Sequence, residues 1–555
     1  MNFKENIFLI AFLPIVLLLY YILPKKARWG VLLASSLIFY ILSSGIFTFI
    51  MLGTSVTIYV AGLLMQKIND NFKKQKSIEG ITKEEKKLLK KKATNRKKLV
   101  VLAIVIINFG LLLTLKYGNF FLGTINIVFG TTIPPLSLIL PLGISFYTLQ
   151  AVSYVIDVYR GTCKADKNFG RVLLFVCFFP QIIEGPIGRY DKLAGQLYEG
   201  HSFDYDKFMK GLQLMLWGLI KIMVIADRAG IFVGNVFEKI YDADGSIILL
   251  GVLLYTIQLY ADFSGCMDLV KGIGQLFGIE MADNFRRPFF STSVNEFWRR
   301  WHITLGAWLR DYIFYPISLS KFFANLSAKA KKNFGDFLAK FLPSAFALFF
   351  VWFINGLWHG AEVKYIVYGL YYYVVMMLGL LFEPLFVKIT NALHINRKSK
   401  PYFVFQVIRT FLLVNLGMLI FRANTLFDAW YALCAIFSKF NGDIFATSVL
   451  SYKLHIYDFV VIAIGAVALF IVGVLQERGH HLRDEIAKKN IVIRWIIYFV
   501  ALLHMEKVIV WQIFSMHNSD KYKKGLINWK RIKNLLHREY PRLSVFCLYL
   551  QLSWE

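Results

Sequence analysis

The apolar residues of this 555-residue chain fall in blocks that approach the length of a bilayer crossing, such as Ile7–Ile22, Val101–Leu115 and Phe459–Leu475. A helix needs about 20 apolar residues to span the hydrocarbon core. Because blocks of this kind recur from end to end, a large soluble protein with buried helices is set aside. Composition agrees. The chain is 57% apolar and only 18% charged, where a soluble protein carries about a quarter charged residues. The fold class expected is therefore all-α: a polytopic bundle of about 11–12 transmembrane spans with re-entrant and interfacial helices. The candidate spans are Ile7–Leu23, Trp29–Leu42, Phe47–Met65, Leu99–Leu115, Leu136–Ile156, Leu212–Ile231, Ile247–Phe263, Leu342–Trp358, Ile366–Phe386, Phe403–Phe421, Phe459–Leu475 and Ile491–Leu503.

The net charge of +28 would suit a nucleic-acid binder, but the cations sit between the apolar blocks. Basic loops beside spans mark the cytoplasmic side, so nucleic acid is not expected as a partner. The densest basic loop is Lys73–Lys98, with Lys86, Lys87, Lys90, Lys91 and Lys92 close together. An outside N-terminus, fixed by Lys25, Lys26 and Arg28 after the first block, puts that loop in the cytoplasm. Arg286, Arg287, Arg299 and Arg300 fall on the same side, as do Lys388, Arg397, Lys398 and Lys400. No small-x-small cleavage site follows Ile7–Leu23, so that block is read as a span and not as a cleavable signal peptide. The expected location is the plasma membrane.

Residues 1–503 are read as one membrane-embedded domain, without internal repeats, and 504–555 as a basic tail. The tail carries Lys521, Lys523, Lys524, Lys530, Arg531 and Arg538. On the same span count these cations fall outside, so either Ile491–Leu503 does not span or the count is off. Val172–Ile183, interrupted by Pro180, reads as a re-entrant or interfacial segment, the alternative being a surface loop. Asp428–Phe440 is similarly ambiguous. The five cysteines, Cys163, Cys177, Cys266, Cys434 and Cys547, show no CxxC spacing, and no disulfide framework or metal site is expected.

Two of the ten histidines stand apart from polar loops and span ends. His359 closes the apolar run that begins near Leu342, and an ionisable group at membrane depth is a functional-site hypothesis by default. At helical spacing Trp352, Asn355 and His359 share a face, so Asn355 is placed to orient the imidazole. Gly356 would let another helix or a substrate approach. The competing reading is a histidine bonded into the bundle. His302 lies in Glu296–Tyr312, where Trp298, Trp301, Leu305, Trp308 and Tyr312 form a largely aromatic stripe at helical spacing. That pattern describes an interfacial helix, with Asn295, Arg299 and His302 on a neighbouring face. Here a structural histidine is the plainer reading. Lys221, Asp227, Arg228 and Asp262 are further charges at membrane depth, to be explained as structural pairs or as a polar path.

Four ordered segments carry a resemblance. They are Pro180-Gln181-Ile182-Ile183-Glu184-Gly185-Pro186-Ile187, Gln258-Leu259-Tyr260-Ala261-Asp262-Phe263-Ser264-Gly265, Asn295–His302 with Trp308–Tyr312, and Gly356-Leu357-Trp358-His359-Gly360. Together they resemble the membrane-bound O-acyltransferase family, in its bacterial branch with alginate O-acetyltransferases and the teichoic-acid D-alanyl transfer protein. The resemblance runs from about Leu9 to Leu475 and departs after Tyr315-Pro316, where a glycine-rich turn is missing, and in the basic tail. It implies that His359 matches the catalytic histidine and His302 the second functional one. Asn355, Trp358, Arg299, Asp311 and Asp262 are then expected to contact substrate.

The resemblance further implies transfer of an acyl group, acetyl in the first instance, from a cytosolic thioester to hydroxyls of a cell-envelope or extracellular polysaccharide. Acyl-CoA or an acyl carrier is the donor substrate, and no tightly bound cofactor or metal is expected. A hydroxyl needs a base to become a nucleophile, and imidazole titrates near neutrality. Membrane lipid surrounds the protein, and an extracytoplasmic partner acyltransferase is a further partner. The rival functions are a transporter or proton-coupled channel, in which His359, His302 and Asp262 relay protons, and a non-catalytic scaffold for a partner enzyme. The topology is directly testable. A cysteine placed at Glu79 should resist an impermeant thiol reagent in intact cells and react once the membrane is opened; labelling in intact cells would reverse the orientation.

Overall fold

The computed structural model describes residues 3–496 apart from 4, 6, 443–446 and 495. The tail after Leu503, and eight of the thirteen residues of the expected span Ile491–Leu503, lie outside the described residues. The chain divides into two compact units, Met1–Glu485 and Ile486–Glu555. The first unit carries both histidines singled out by the sequence. Its regular structure is helical; the one pairing of extended chain among the described residues is an isolated bridge between Phe285 and Trp301.

The N-terminal part comprises α1 (Leu13–Ile22), α2 (Lys25–Ser44), α3 (Thr48–Lys76), α4 (Lys83–Phe129), α5 (Ile144–Arg160), α6 (Phe169–Cys177) and α7 (Tyr190–Glu199). The middle comprises α8 (Tyr205–Leu219), α9 (Asp227–Glu238), α10 (Gly245–Leu276), α11 (Val294–Arg300) and α12 (Ile303–Leu309). The C-terminal part runs through α13 (Tyr315–Ser318), α14 (Lys321–Phe334), α15 (Asp336–His359), α16 (Val363–Ala392), α17 (Lys400–Arg422), α18 (Leu426–Ser438) and α19 (Ile456–Glu477). By length and composition, 7 stretches among the described residues can cross a membrane: Lys25–Lys76, α4, α10, α15, α16, α17 and α19.

That is fewer than the expected spans, for visible reasons. The expected spans at Trp29–Leu42 and Phe47–Met65 run as one apolar stretch through a short 3-10 turn, Gly45–Phe47. Leu212–Ile231 divides into α8 and α9 around a π-helical segment, Ile220–Ala226, which carries Lys221. Leu136–Ile156 is helical only from Ile144, because Pro134 and Pro135 keep the chain extended before it.

The extended residues 131–141 are bound to α4 in an unusual way. Asn126 Nδ2 donates to Ile133 O at 2.8 Å while its Oδ1 accepts from Ile133 N at 2.9 Å. Asn119 does the same with Leu136, at 2.9 Å and 2.8 Å. Seven helical residues rise about 10.5 Å, and three extended residues cover about 10 Å, so the two amides meet the strap in register. Between them lie Pro134 and Pro135, which have no N–H to satisfy.

Helix α10 links the two halves of the core: one end packs with the N-terminal helices, the other with α9, α17 and α18. Its closest neighbour is α8, and glycines allow it. A Cβ at Gly218 would stand 2.6 Å from Gly265 O, and one at Gly265 would stand 2.8 Å from Gly218 O; Gly211 and Gly272 repeat the arrangement. Close packing of small residues is the main adhesive between helices in lipid.

Two of the charges at depth, Lys221 and Arg228, are paired with partners that the sequence did not identify. Lys221 Nζ lies 2.7 Å from Asp268 Oδ2 and 2.9 Å from Ser264 Oγ, both on α10. Arg228 pairs with Asp458 at the start of α19. Val172–Ile183 is α6 followed by a tight turn in which Phe178 O accepts from Gln181 N at 2.8 Å and Ile182 N at 3.0 Å. The turn is wholly buried, the condition under which irregular backbone is tolerated at depth. Asp428–Phe440 is mostly helix α18, which packs on α10. Removing one partner of a buried ion pair strands the other. Asp268→Ala should therefore lower stability toward the lower end of about 3–5 kcal/mol, since Asp268 is part-exposed. A thermal melt of the purified chain, with Asp484→Ala as the surface control, reads this out.

Candidate active site

The aromatic stripe of Glu296–Tyr312 does not lie on one continuous helix. Helix α11 starts on Ser293, whose Oγ accepts from Glu296 N at 3.2 Å, and stops at Arg300. Trp301 is extended, and His302 takes a left-handed backbone, with φ 47° and ψ 51°, before α12 begins. Asn284 explains the break. Its carbonyl O accepts from Ile303 N at 3.0 Å, and its Oδ1 accepts from Thr304 N at 3.0 Å and Thr304 Oγ1 at 2.9 Å. Arg286 N bonds Arg300 O at 2.9 Å alongside. These bonds pull the chain out of helical register, which outweighs the local periodicity. As a result Trp301 and Trp308 are buried inside the protein and do not form an interfacial face. Trp308 Nε1 donates to Leu149 O at 2.8 Å.

The same asparagine sets the His302 ring. Its Oδ1, oriented by the Thr304 N–H, can only accept. His302 Nδ1, 3.2 Å away, is therefore the protonated nitrogen, and Nε2 keeps its lone pair. Among the described residues Nε2 is buried without a hydrogen-bond partner. The ring packs edge-on against Phe263 at 4.8 Å and Trp358 at 5.6 Å between centroids.

His359 is the last helical residue of α15. Helix α16 crosses α15 at Gly356 and Gly369: a Cβ on the first would strike Tyr365 O, and one on the second Trp352 O. This close approach brings Tyr368 to His359. Three rings enclose the imidazole, Trp358 at 5.0 Å, Tyr368 at 5.6 Å and Phe421 at 5.0 Å, at interplanar angles of 78°, 88° and 90°. Among the described residues neither ring nitrogen of His359 has a hydrogen-bond partner, and no bond joins it to Asn355, the expected orienting group.

A cavity of about 790 Å³ lies between α11, α12, α15 and α16. His302, His359, Asn355, Trp358, Arg299 and Asn295 all line it. Asn295, Arg299 and His302 thus share a site despite the broken helix. Two expected substrate residues lie elsewhere. Asp311 faces a second cavity, of about 1190 Å³ on the other side of α12, and pairs with Arg189 at 2.9 Å. Asp262 is exposed on α10 and does not line the cavity. The sequence reading missed Asn284, Tyr368 and Phe421, and also Lys116 and Tyr117, whose side chains bond the carbonyls of Trp358 and Leu357. Lys116 carried the same signal as Lys221, a lone cation in an apolar run.

Comparison with known proteins covers the same ground. Residues 165–330 match the model of the membrane-bound O-acyltransferase family. The chain is 35% identical to the probable alginate O-acetylase of Pseudomonas syringae pv. tomato, over 79% of this chain and 75% of that protein. It is 29% identical to the peptidoglycan O-acetyltransferase of Helicobacter pylori, over 77% and 78%. To the teichoic acid D-alanyltransferase of Bacillus subtilis it is 31% identical, over 45% and 61%.

Asn284→Ala tests how the His302 turn is held. A buried donor left without an acceptor costs about 1–3 kcal/mol, and this substitution removes the acceptor for Thr304 N, Thr304 Oγ1 and His302 Nδ1 together. The melting temperature should fall further for Asn284→Ala than for His302→Ala; the reverse order would contradict the pinning role.

Proposed function

The chain belongs to the membrane-bound O-acyltransferase family, and on that premise we propose that it moves an acetyl group from a cytosolic thioester to hydroxyls of a cell-envelope polysaccharide, with His359 as the general base. The chain is a multi-pass membrane acyltransferase. The observation that carries the residue assignment is the state of His359: among the described residues both ring nitrogens lack protein partners, beside a cavity that also receives His302 and Asn355. A structural histidine in a bundle is held by at least one nitrogen, since an unmet polar group there costs about 1–3 kcal/mol; His302 is held this way at Nδ1 by Asn284, with only Nε2 open. A base must keep one for substrate.

In this reading the acceptor hydroxyl oxygen attacks the thioester carbonyl carbon while His359 takes the hydroxyl proton. The C–S bond breaks, and the imidazolium returns its proton to the leaving thiolate. Negative charge gathers on the carbonyl oxygen and needs a donor. The side-chain amide of Asn355, buried on the cavity wall, supplies it. His302 buttresses Trp358, which in turn packs on His359. Acyl-CoA or an acyl carrier is the donor. The acceptor beyond the membrane is the glycan itself or an extracytoplasmic partner acyltransferase that passes the group on. Names of similar proteins support the glycan class: alginate, peptidoglycan and teichoic acid. The plasma membrane, with the N-terminus outside, is the setting that the basic loops favour.

His359→Gln keeps polarity but cannot accept a proton at neutral pH. Ester-linked acetyl on envelope polysaccharide should fall by about 10²–10⁴-fold with the chain still present in the membrane. Near-normal acetylation would place the base elsewhere, with His302 as the next residue to test.

A further inference from the structure

We infer that Lys116, with Tyr117 beside it, is a positioning residue for His359, acting through the main chain of the helix that carries it. The inference rests on the reading of His359 as the base. Helix α15 ends in a gap. The last four carbonyls of any helix lack partners inside the helix, and a following left-handed glycine usually returns backbone N–H groups to them. Here the residue after His359 is Gly360, whose backbone is extended, with φ −174° and ψ 169°. Among the described residues no backbone N–H beyond the helix end returns to those carbonyls.

Helix α4 fills the gap with two consecutive side chains. Lys116 Nζ donates to Trp358 O, and Tyr117 Oη donates to Leu357 O. Tyr117 is buried, and the Lys116 ammonium lies 5.8 Å from the centroids of both the Trp358 and the Tyr117 rings. A cation at a helix C-terminus also meets the negative end of the helix dipole. Main-chain atoms immediately before His359 are thus fixed from outside the helix.

This matters because, among the described residues, nothing bonds the imidazole itself. Catalytic histidines are commonly oriented by a hydrogen bond to one ring nitrogen, and the ring of His359 has none. Its direction is set by three edge-on rings and by the backbone that launches it. Trp358 is the shared element. Its carbonyl is held by Lys116, its indole Nε1 reaches Ser145 O at 3.5 Å, and its ring packs on both histidines. If Lys116 lets go, Trp358 and His359 move together, and a displacement of about 1 Å at a reacting centre can cost on the order of 10²-fold in rate.

The test uses the full chain in cells, which supply their own donor. Lys116→Met keeps the length and apolar stem but removes the donor and the charge; Lys116→Arg restores both. Ester-linked acetyl per unit of membrane-resident chain should fall by on the order of ten- to a hundredfold in Lys116→Met and recover substantially in Lys116→Arg. Tyr117→Phe should give a smaller loss in the same direction, and it carries the test if Lys116→Met fails to accumulate. A role in folding alone would lower the amount of chain and leave the yield per chain unchanged, which would overturn the inference. So would an Arg variant as poor as the Met variant. His359→Gln measured alongside separates the two readings. If it is inactive while Lys116→Met is fully active, only the Lys116 role fails; if it is active, the base assignment fails and this inference goes with it.

Discussion

Inside a bilayer no water is available to bond a stray amide, and the irregular parts of this protein are shaped by that deficit. A regular helix meets its own backbone needs along its length but not at its ends. Four features of the fold are departures from helix, and each is closed by side chains or by burial. The extended strap before α5 is bonded by Asn119 and Asn126. The end of α15 is closed by Lys116 and Tyr117. The left-handed turn at His302 is closed by Asn284. The turn after α6 bonds its own backbone and is sealed among aromatic rings. Two of these four, the His302 turn and the end of α15, line the cavity that holds the two histidines. The membrane forbids open backbone near the site except where a specific side chain completes it, so the polar chemistry of the site and the polar repair of the fold use neighbouring residues.

The cavity gains its character from this. His302 and His359 arrive by different routes, one on a pinned turn and the other at a helix end, and Trp358 touches both rings. Imidazole against aromatic edges is a dry arrangement. In low dielectric, dipoles and charges act more strongly than in water, which suits a reaction whose transition state builds charge on one oxygen.

Much of this was legible in the sequence, and the rest was hidden for identifiable reasons. Block length gave the all-α membrane class. Helical spacing placed Trp352, Asn355 and His359 on one face, and all three line the cavity. Spacing failed at Trp301-His302, where the stripe has the period of a helix but Asn284, 18 residues earlier, withdraws the backbone from it. Local pattern cannot report a tertiary hydrogen bond. The same blindness affects charges: Arg228 and Asp458 are 230 positions apart, and no spacing rule links them. Helix boundaries differ from the expected ones where Pro134, Pro135 and Lys221 interrupt apolar runs. The asparagines were overlooked because they are small, neutral and scattered, although in lipid they serve as backbone substitutes.

The strap on α4 has an implication for sequence change. Its two asparagine contacts match because two turns of helix and three extended residues span the same distance. Thr131 Oγ1 donates to Asn126 Oδ1 at 2.8 Å and takes part in that match, whereas substitutions at the exposed Ile127, Val128 and Phe129 leave it untouched. A single residue inserted or deleted between Asn119 and Asn126 does not, since it turns one amide by about 100° around the helix axis and away from its partner. One more residue between Ile133 and Leu136 opens the same mismatch from the other side. Irregular surface segments are ordinarily where a chain tolerates changes of length. This one is instead a ruler, fixed in residue count between its two asparagine contacts.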